Sequence, residues 1–200
     1  MPIVLGYHGC SIETAQLLLG GSPFSMSENN YDWLGNGAYF WEWDALRASD
    51  WARECYEQPS VVGAVIELGN CLDLTTQDGI FAVENAYQSY VELQRRRNKP
   101  LLENKDLSTG APGNLTLRFL DKAVITHLHE SIKQAGIGEY DTVRALFPEG
   151  EPIYRNSGFW KKTHVQIAVR RIEQIRGVFR LPHHELKKLN LSAGIYPFSN

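Results

Sequence analysis

The stretch "YDWLGNGAYFW", residues 31–41, places a flexible turn directly before a dense run of aromatic rings. Two glycines flank Asn36, a combination that is typical of a tight turn. Tyr39 and two further aromatic residues follow at once. Taken by itself, this pattern indicates a turn and a strand whose rings pack into the core.

A second short segment, "YHG" at residues 7–9, ends the first predicted strand. A histidine such as His8 at a strand end is more often a hydrogen-bonded structural residue than a catalyst. Gly9 has no side chain, so a ligand can approach its backbone and bind the N–H and C=O groups directly.

The length and composition bound the kind of protein. Two hundred residues, 43% hydrophobic and 22% charged, predict one globular domain spanning residues 1–200. No apolar run can span a bilayer, and residues 1–10 do not resemble an export signal, so we expect a cytoplasmic protein without a membrane partner. The three cysteines lack metal-ligand spacing, so we expect reduced thiols and no metal.

Helices and strands alternate irregularly along the chain. Strands are predicted at 2–9, 38–41, 60–74 and, as two strands joined by a turn, 163–181; helices are predicted at 11–21, 44–58, 80–99 and 115–136. Ser11 and Asp44 are the expected N-caps of the first two helices. Residues 138–162 show neither the helical nor the strand periodicity of apolar residues. Because there is no regular βαβ alternation, the pattern favours an α+β fold over a doubly wound sheet.

The two opening segments together resemble the ADP-ribosyltransferase superfamily. "YHG" on a first strand, followed about thirty residues later by "G-x-G-x-Y-F", is similar to the branch that includes diphtheria toxin and the poly(ADP-ribose) polymerases. That branch uses a His-Tyr-Glu triad. "HVQIAV", residues 164–169, resembles its third strand, with Gln166 in the glutamate position, as in some bacterial relatives. The resemblance covers residues 3–10, 31–53, 61–69 and 163–181.

This resemblance implies two packed, mostly antiparallel sheets with an NAD cleft between them and peripheral helices. The segment from about residue 80 to about residue 150 would be a helical insert. It implies NAD as co-substrate, without a metal. His8, Tyr39 and Gln166 would be the catalytic residues. His8 would bind the adenosine ribose, Gly9 the carboxamide, Tyr39 the nicotinamide ring by stacking, and Gln166 the 2′-OH of the nicotinamide ribose.

A neutral glutamine changes the expected chemistry. Nicotinamide leaves through a cationic, oxocarbenium-like state, so catalysis is mainly positioning and electrostatic stabilisation. Glutamine keeps the hydrogen bond of a glutamate but loses its charge and basicity, so repeated chain elongation is not expected. Either the acceptor is already nucleophilic, or another carboxylate acts as the base; the candidates are Glu42, Glu149 and Glu151.

The acceptor is expected near residues 147–162, because a loop at this place contacts the acceptor in the resembling enzymes. The segment interleaves rings and cations, and the candidate acceptor-binding residues are Tyr154, Arg155, Trp160, Lys161 and, on the strand face of Gln166, His164. Residues 151–200 hold nine Lys/Arg and three Asp/Glu, a net charge of +6. Such a composition favours nucleic acid and suits an acidic protein surface nearly as well.

The functional hypothesis is therefore a mono-ADP-ribosyltransferase that modifies a macromolecule, either nucleic acid or protein. By analogy alone, its role would be that of a toxin or defence protein, for which a neutralising antitoxin is a conceivable partner. Two alternatives stay open: an NAD glycohydrolase, and a catalytically inactive module that binds NAD or nucleic acid.

Overall fold

The strands join in a single seven-stranded sheet in the computed structural model, which describes residues 2–108 and 113–189. They are β1 (Ile3–Ser11), β2 (Ala38–Glu42), β3 (Pro59–Glu67), β4 (Cys71–Asp73), β5 (Thr142–Phe147), β6 (His164–Val169) and β7 (Ile175–Arg180). Their order in the sheet is β4-β5-β6-β2-β1-β3-β7. All neighbours are antiparallel except β4 and β5, which are parallel. The α+β prediction is confirmed, with one hydrogen-bonded sheet where the resemblance implies two.

The sheet consists of two halves that are joined by a short ladder. β1 pairs with β3 along its whole length, from Ile3–Glu67 to Ser11–Pro59. With β2 it shares only the pairs Gly6–Glu42 and Tyr7–Trp41. We call this junction between β1 and β2 the seam. The seam joins the strands into one sheet, because without its two residue pairs the two halves would be separate sheets.

Within the described ranges, five α-helices lie against the sheet: α1 (Ile12–Leu19), α2 (Ala45–Cys55), α3 (Gln77–Arg96), α4 (Phe119–Gln134) and α5 (His183–Lys188). The side chain of Ser11 caps α1 by accepting a hydrogen bond from the backbone N–H of Thr14. Asp44 caps α2 in the same way through the N–H of Arg47. Both N-caps are those predicted from the sequence, and each satisfies a backbone donor that the helix leaves unpaired.

The helices bury different faces of the sheet. On one face, which we call the α1 face, Ala15 and Leu18 of α1 pack with Phe40, Val62 and Ile167. The opposite face is covered by α2, α3, α4 and residues 181–189, and we call it the α2 face. Its buried side chains are Trp41, Val61, Leu181, Leu186, Leu34, Val143, Phe147 and Ala168.

The predicted insert is only partly helical. α3 and α4 pack against each other through Ala86, Tyr90 and Val124. Residues 142–147, however, form β5, which pairs with both β4 and β6 inside the sheet. The helical part therefore ends at Gln134, and the segment that follows supplies β5 as the second neighbour of β6.

Candidate functional site

His8 connects the two halves of the sheet at the seam. Its Nδ1 lies 2.8 Å from the backbone oxygen of Tyr39 on β2. Since a carbonyl oxygen only accepts, Nδ1 carries the proton and donates it to this bond. Burial lowers the pKa of His8, so the ring is neutral at pH 7 and its Nε2 is a hydrogen-bond acceptor. The two sequence motifs thus meet through one side-chain hydrogen bond.

The backbone of Gly9 faces the seam beyond its last paired residue. The oxygen of Leu5 accepts a hydrogen bond from Trp43 N–H at 3.0 Å, so Leu5 directs its backbone groups towards β2. Strand geometry repeats every two residues, so Gly9 does the same. The ladder ends at Tyr7–Trp41, so the N–H and C=O of Gly9 face β2 without a ladder partner there.

Helix α2 leaves no room for a side chain at Gly9. A Cβ at this position would lie 2.3 Å from the backbone oxygen of Ala48 and 3.2 Å from the ring of Trp51. Helix α2 therefore packs directly onto the Cα of Gly9. On this side of Gly9, the close approach that was predicted for a ligand is made by helix α2.

Tyr39 and Gln166 lie on the α2 face of adjacent strands. Tyr39 pairs with Ala168, and Trp41 pairs with Gln166. Directly opposed residues of antiparallel strands share a face, and so do residues two apart. Gln166 is half-buried between Trp41 and Ala145 on its two neighbouring strands. Its amide forms no hydrogen bond with any other described residue, which leaves it available to a ligand.

The hydroxyl of Tyr39 is part of the turn that precedes it. It donates to the oxygen of Gly35 at 2.7 Å and accepts from the N–H of Leu34 at 2.9 Å. Burial raises the pKa of Tyr39 well above its usual value. Gly35 itself has φ +83° and lies against Ile125 of α4. The phenol is therefore a structural group, and only the ring of Tyr39 is available for stacking.

His8 lies on the other face from Tyr39 and Gln166. Its ring makes an edge contact with Phe24, at 5.3 Å between centroids, and a tilted contact with Phe40 at 5.6 Å. Phe24 also borders a cavity of about 300 Å³ on the α1 face. This cavity is lined mainly by Leu18, Leu19, Phe24, Ile172, Ile175 and Val178. The three predicted catalytic residues therefore lie on the neighbouring strands β1, β2 and β6, with His8 on one face of the sheet and Tyr39 and Gln166 on the other. Of these, only His8 and the backbone of Tyr39 meet at the seam.

Residues 148–163 form an irregular hairpin between β5 and β6. It is closed by a bridge between Pro152 and Trp160. Tyr154 is 61% exposed at its tip, and Arg155 is exposed and forms no ion pair with any residue that the structure describes. Lys161 is paired with Glu151 at 3.0 Å. The exposed ring and cation predicted for acceptor binding are present at the tip, whereas Trp160 is half-buried and Lys161 has its charge compensated.

His164 does not lie at the acceptor surface. It is only 4% exposed, and its ring packs against those of Trp33, Trp41 and Phe147 at centroid distances of 5.9, 6.4 and 5.9 Å. Its Nδ1 donates to the backbone oxygen of Lys162 at 2.6 Å. Burial lowers its pKa. Aromatic side chains therefore enclose His164, and its ring has no exposed surface with which to make the predicted contact with an acceptor.

A charged pair beside His164 was not predicted. Nη2 of Arg47, in α2, lies 2.9 Å from Oε2 of Glu149, and the two side chains are only 11% and 16% exposed. The same Oε2 lies 3.8 Å from Nδ1 of His164. Glu149 was a candidate base from the sequence, but nothing in the spacing of Arg47 from Glu149, 102 residues apart, indicated their contact.

Within residues 2–108 and 113–189, no three His, Cys, Asp or Glu side chains are placed to hold a metal ion. In the same ranges no helix is long and apolar enough to cross a membrane. Comparisons of the chain with protein-family models, curated proteins and solved structures found no match.

Proposed function

We propose that the chain is an ADP-ribosyltransferase in fold and activity, which moves a single ADP-ribose unit from NAD to a macromolecular acceptor. The observation that carries this proposal is the hydrogen bond between His8 and the Tyr39 backbone at the point where the seam opens. It joins two motifs that are 31 residues apart. Beside them, the N–H and C=O of Gly9 have no partner on β2 among the described residues.

NAD would bind across the seam. The N–H and C=O of Gly9 match the carboxamide of nicotinamide, which needs one donor and one acceptor. The ring of Tyr39 offers a stacking surface on the α2 face. On the α1 face, the Nε2 of His8 accepts from a ribose hydroxyl, and the cavity beside Phe24, which Ser22 also lines, offers both apolar and polar surface to adenine.

Gln166 would act on the reacting ribose. Its amide oxygen accepts a hydrogen bond from the 2′-OH and so stabilises the cationic character that develops at C1′. Because this interaction strengthens as charge develops, it contributes to turnover more than to the affinity for NAD.

The acceptor would approach the hairpin of residues 148–163. Tyr154 and Phe159 are 61% and 68% exposed there, and Arg155 lies between them in sequence. Exposed rings beside an exposed cation suit the stacking of bases and the neutralisation of phosphates. We therefore favour nucleic acid as the acceptor, and a protein acceptor is the alternative outcome of the test.

The test uses NAD labelled on the adenylate and an extract of cells. Label should become macromolecular with the wild-type protein and far less with Gln166→Ala, while NAD binding by this variant is still measurable. Nuclease should release the label and protease should not; the reverse would assign a protein acceptor. Label that never enters macromolecules, although NAD is consumed, would identify a glycohydrolase. Intact NAD in all reactions would reject the proposal.

A charge reversal tests the acceptor surface separately. Arg155→Glu should depress transfer to the macromolecule while leaving NAD hydrolysis unchanged, because Arg155 lies at the tip of the hairpin. Lys161→Glu is the matched control, since the charge of Lys161 is already paired with Glu151. Equal transfer by wild type and Arg155→Glu would place the acceptor elsewhere.

A further inference from the structure

The proposed transfer lacks a base at its third catalytic position. Gln166 is neutral and cannot take a proton, yet a hydroxyl or amine acceptor must lose one when it attacks C1′. Three carboxylates near this end of the sheet are candidates, namely Glu42, Glu149 and Glu151. Their surroundings in the structure differ sharply.

Glu42 and Glu151 are poorly placed for this role. Glu42 directly follows Trp41 on β2, so its side chain points to the α1 face, opposite to Gln166. Both of its oxygens accept from Arg144, at 2.5 and 3.1 Å. The side chain of Glu151 is 70% exposed on the hairpin and is paired with Lys161. Neither carboxylate faces the ribose that Gln166 would hold.

Glu149 is held on the same side as Gln166. Arg47 and His164 both approach its Oε2, whereas no described residue donates to its Oε1. His164 and Gln166 are two residues apart on one strand face, about 7 Å along the strand. The carboxylate of Glu149, which lies beside His164, is therefore about two residues along the strand from the ribose that Gln166 would bind. An acceptor group can bridge this separation.

The geometry points to Glu149 as the base that takes the acceptor's proton, an assignment that rests on the proposed function. In this step the bond between C1′ and the nicotinamide nitrogen breaks, and its electron pair leaves with nicotinamide. A lone pair of the acceptor oxygen forms the new bond to C1′. The proton of that hydroxyl passes to Oε1 of Glu149 and then to solvent. Arg47 is a positioning residue, because it holds Oε2 at 2.9 Å and leaves Oε1 without a donor among the described residues.

The test replaces the unidentified acceptor by two small nucleophiles. Methanol carries a proton that must be removed, whereas azide is an anion that needs no base. Wild-type protein and Glu149→Gln are each incubated with NAD in the presence of methanol or azide, and methyl-ADP-ribose and ADP-ribosyl azide are quantified. We expect the variant to lose about 100-fold or more in methanolysis, the usual contribution of a general base. Its azidolysis should stay close to that of the wild type.

Each outcome decides one question. Equal methanolysis by both proteins overturns the assignment of Glu149 and leaves the proposed function intact. An equal loss with both nucleophiles also overturns it, because a purely structural role affects both. Absence of any NAD cleavage by the wild type rejects the proposed function itself. Glu151→Gln, an exposed carboxylate two residues away, is the control and should behave as wild type.

A second variant covers the case in which Glu149→Gln does not fold. Removing one partner of a buried pair leaves Arg47 uncompensated, whereas replacing both partners is often tolerated. Arg47→Leu combined with Glu149→Gln therefore removes the base without leaving an unpaired charge. The same selective loss of methanolysis is expected, and its absence would again overturn the assignment.

Discussion

Tyr39→Phe separates the structural role of the phenol from the catalytic role proposed for the ring. The substitution deletes a hydroxyl that contacts two backbone groups, the oxygen of Gly35 at 2.7 Å and the N–H of Leu34 at 2.9 Å. Leu34 is 1% exposed, so water cannot readily replace the lost partner. A buried polar group without a partner costs about 1–3 kcal/mol. We expect the free energy of unfolding to fall by about 2–3 kcal/mol.

The corresponding change is large enough to measure by thermal and urea unfolding. For a chain of this length it lowers the Tm by about 5–10 °C. NAD cleavage at 20 °C should stay within about threefold of wild type, or less than 1 kcal/mol in barrier, because the stacking ring is kept. Tyr154→Phe is the matched control, since its hydroxyl is exposed and should contribute almost nothing to stability.

Two results would refute this reasoning. An unchanged stability would show that the hydroxyl does not support the turn at residues 34–37. A folded Tyr39→Phe protein without NAD cleavage would show that the hydroxyl, not the ring, is required for the chemistry. Tyr39→Ala is less informative, because it also leaves a cavity that costs about 3–5 kcal/mol for an aromatic residue.

Three further changes test other parts of the structure. Gly9→Ala forces a methyl group against the oxygen of Ala48 at 2.3 Å and should cost about 1–3 kcal/mol in urea unfolding; wild-type stability would contradict the packing of α2 on β1. Burial lowers the pKa of His129 to about 3. Between about pH 6.5 and pH 3, His129 therefore binds a proton in the unfolded chain but not in the folded one, and the free energy of unfolding decreases as the pH is lowered. His129→Leu should remove about 1.4 kcal/mol per pH unit from this slope between pH 6 and 4, measured by urea unfolding against pH; an identical slope would contradict it. Gln166→Glu restores charge and basicity and should raise NAD hydrolysis, as nicotinamide release would show; no increase would argue against a role of residue 166 at the ribose.

Local signals in the sequence predicted the local structure well. Ser11 and Asp44 were recognisable as N-caps because each precedes a helical pattern and bonds within one turn. The strand β5 was not predicted, since its six residues alternate too briefly to stand out before Pro148 and Gly150. Short strands depend on their neighbours, and β5 owes its conformation to pairing with β6.

The sequence motifs identified candidate residues for the site but not the contacts that these residues make. His8, Tyr39 and Gln166 were selected by motif. The group that His8 binds, however, is the backbone oxygen of Tyr39, which has no signature in sequence. The contact of Arg47 with Glu149 joins a helix to a hairpin 102 residues away, a separation at which side-chain spacing carries no information.

The order of the strands has a consequence for the timing of synthesis. β2 leaves the ribosome early, but its partner β6 begins only at His164, and β7 completes the other half of the sheet at Arg180. Pairings between segments so distant along the chain form late, because a long loop must close first. A nascent chain that ends before residue 164 has Tyr39 without the strand that carries Gln166. The proposed activity therefore requires that synthesis has passed β6, so every shorter nascent chain lacks it.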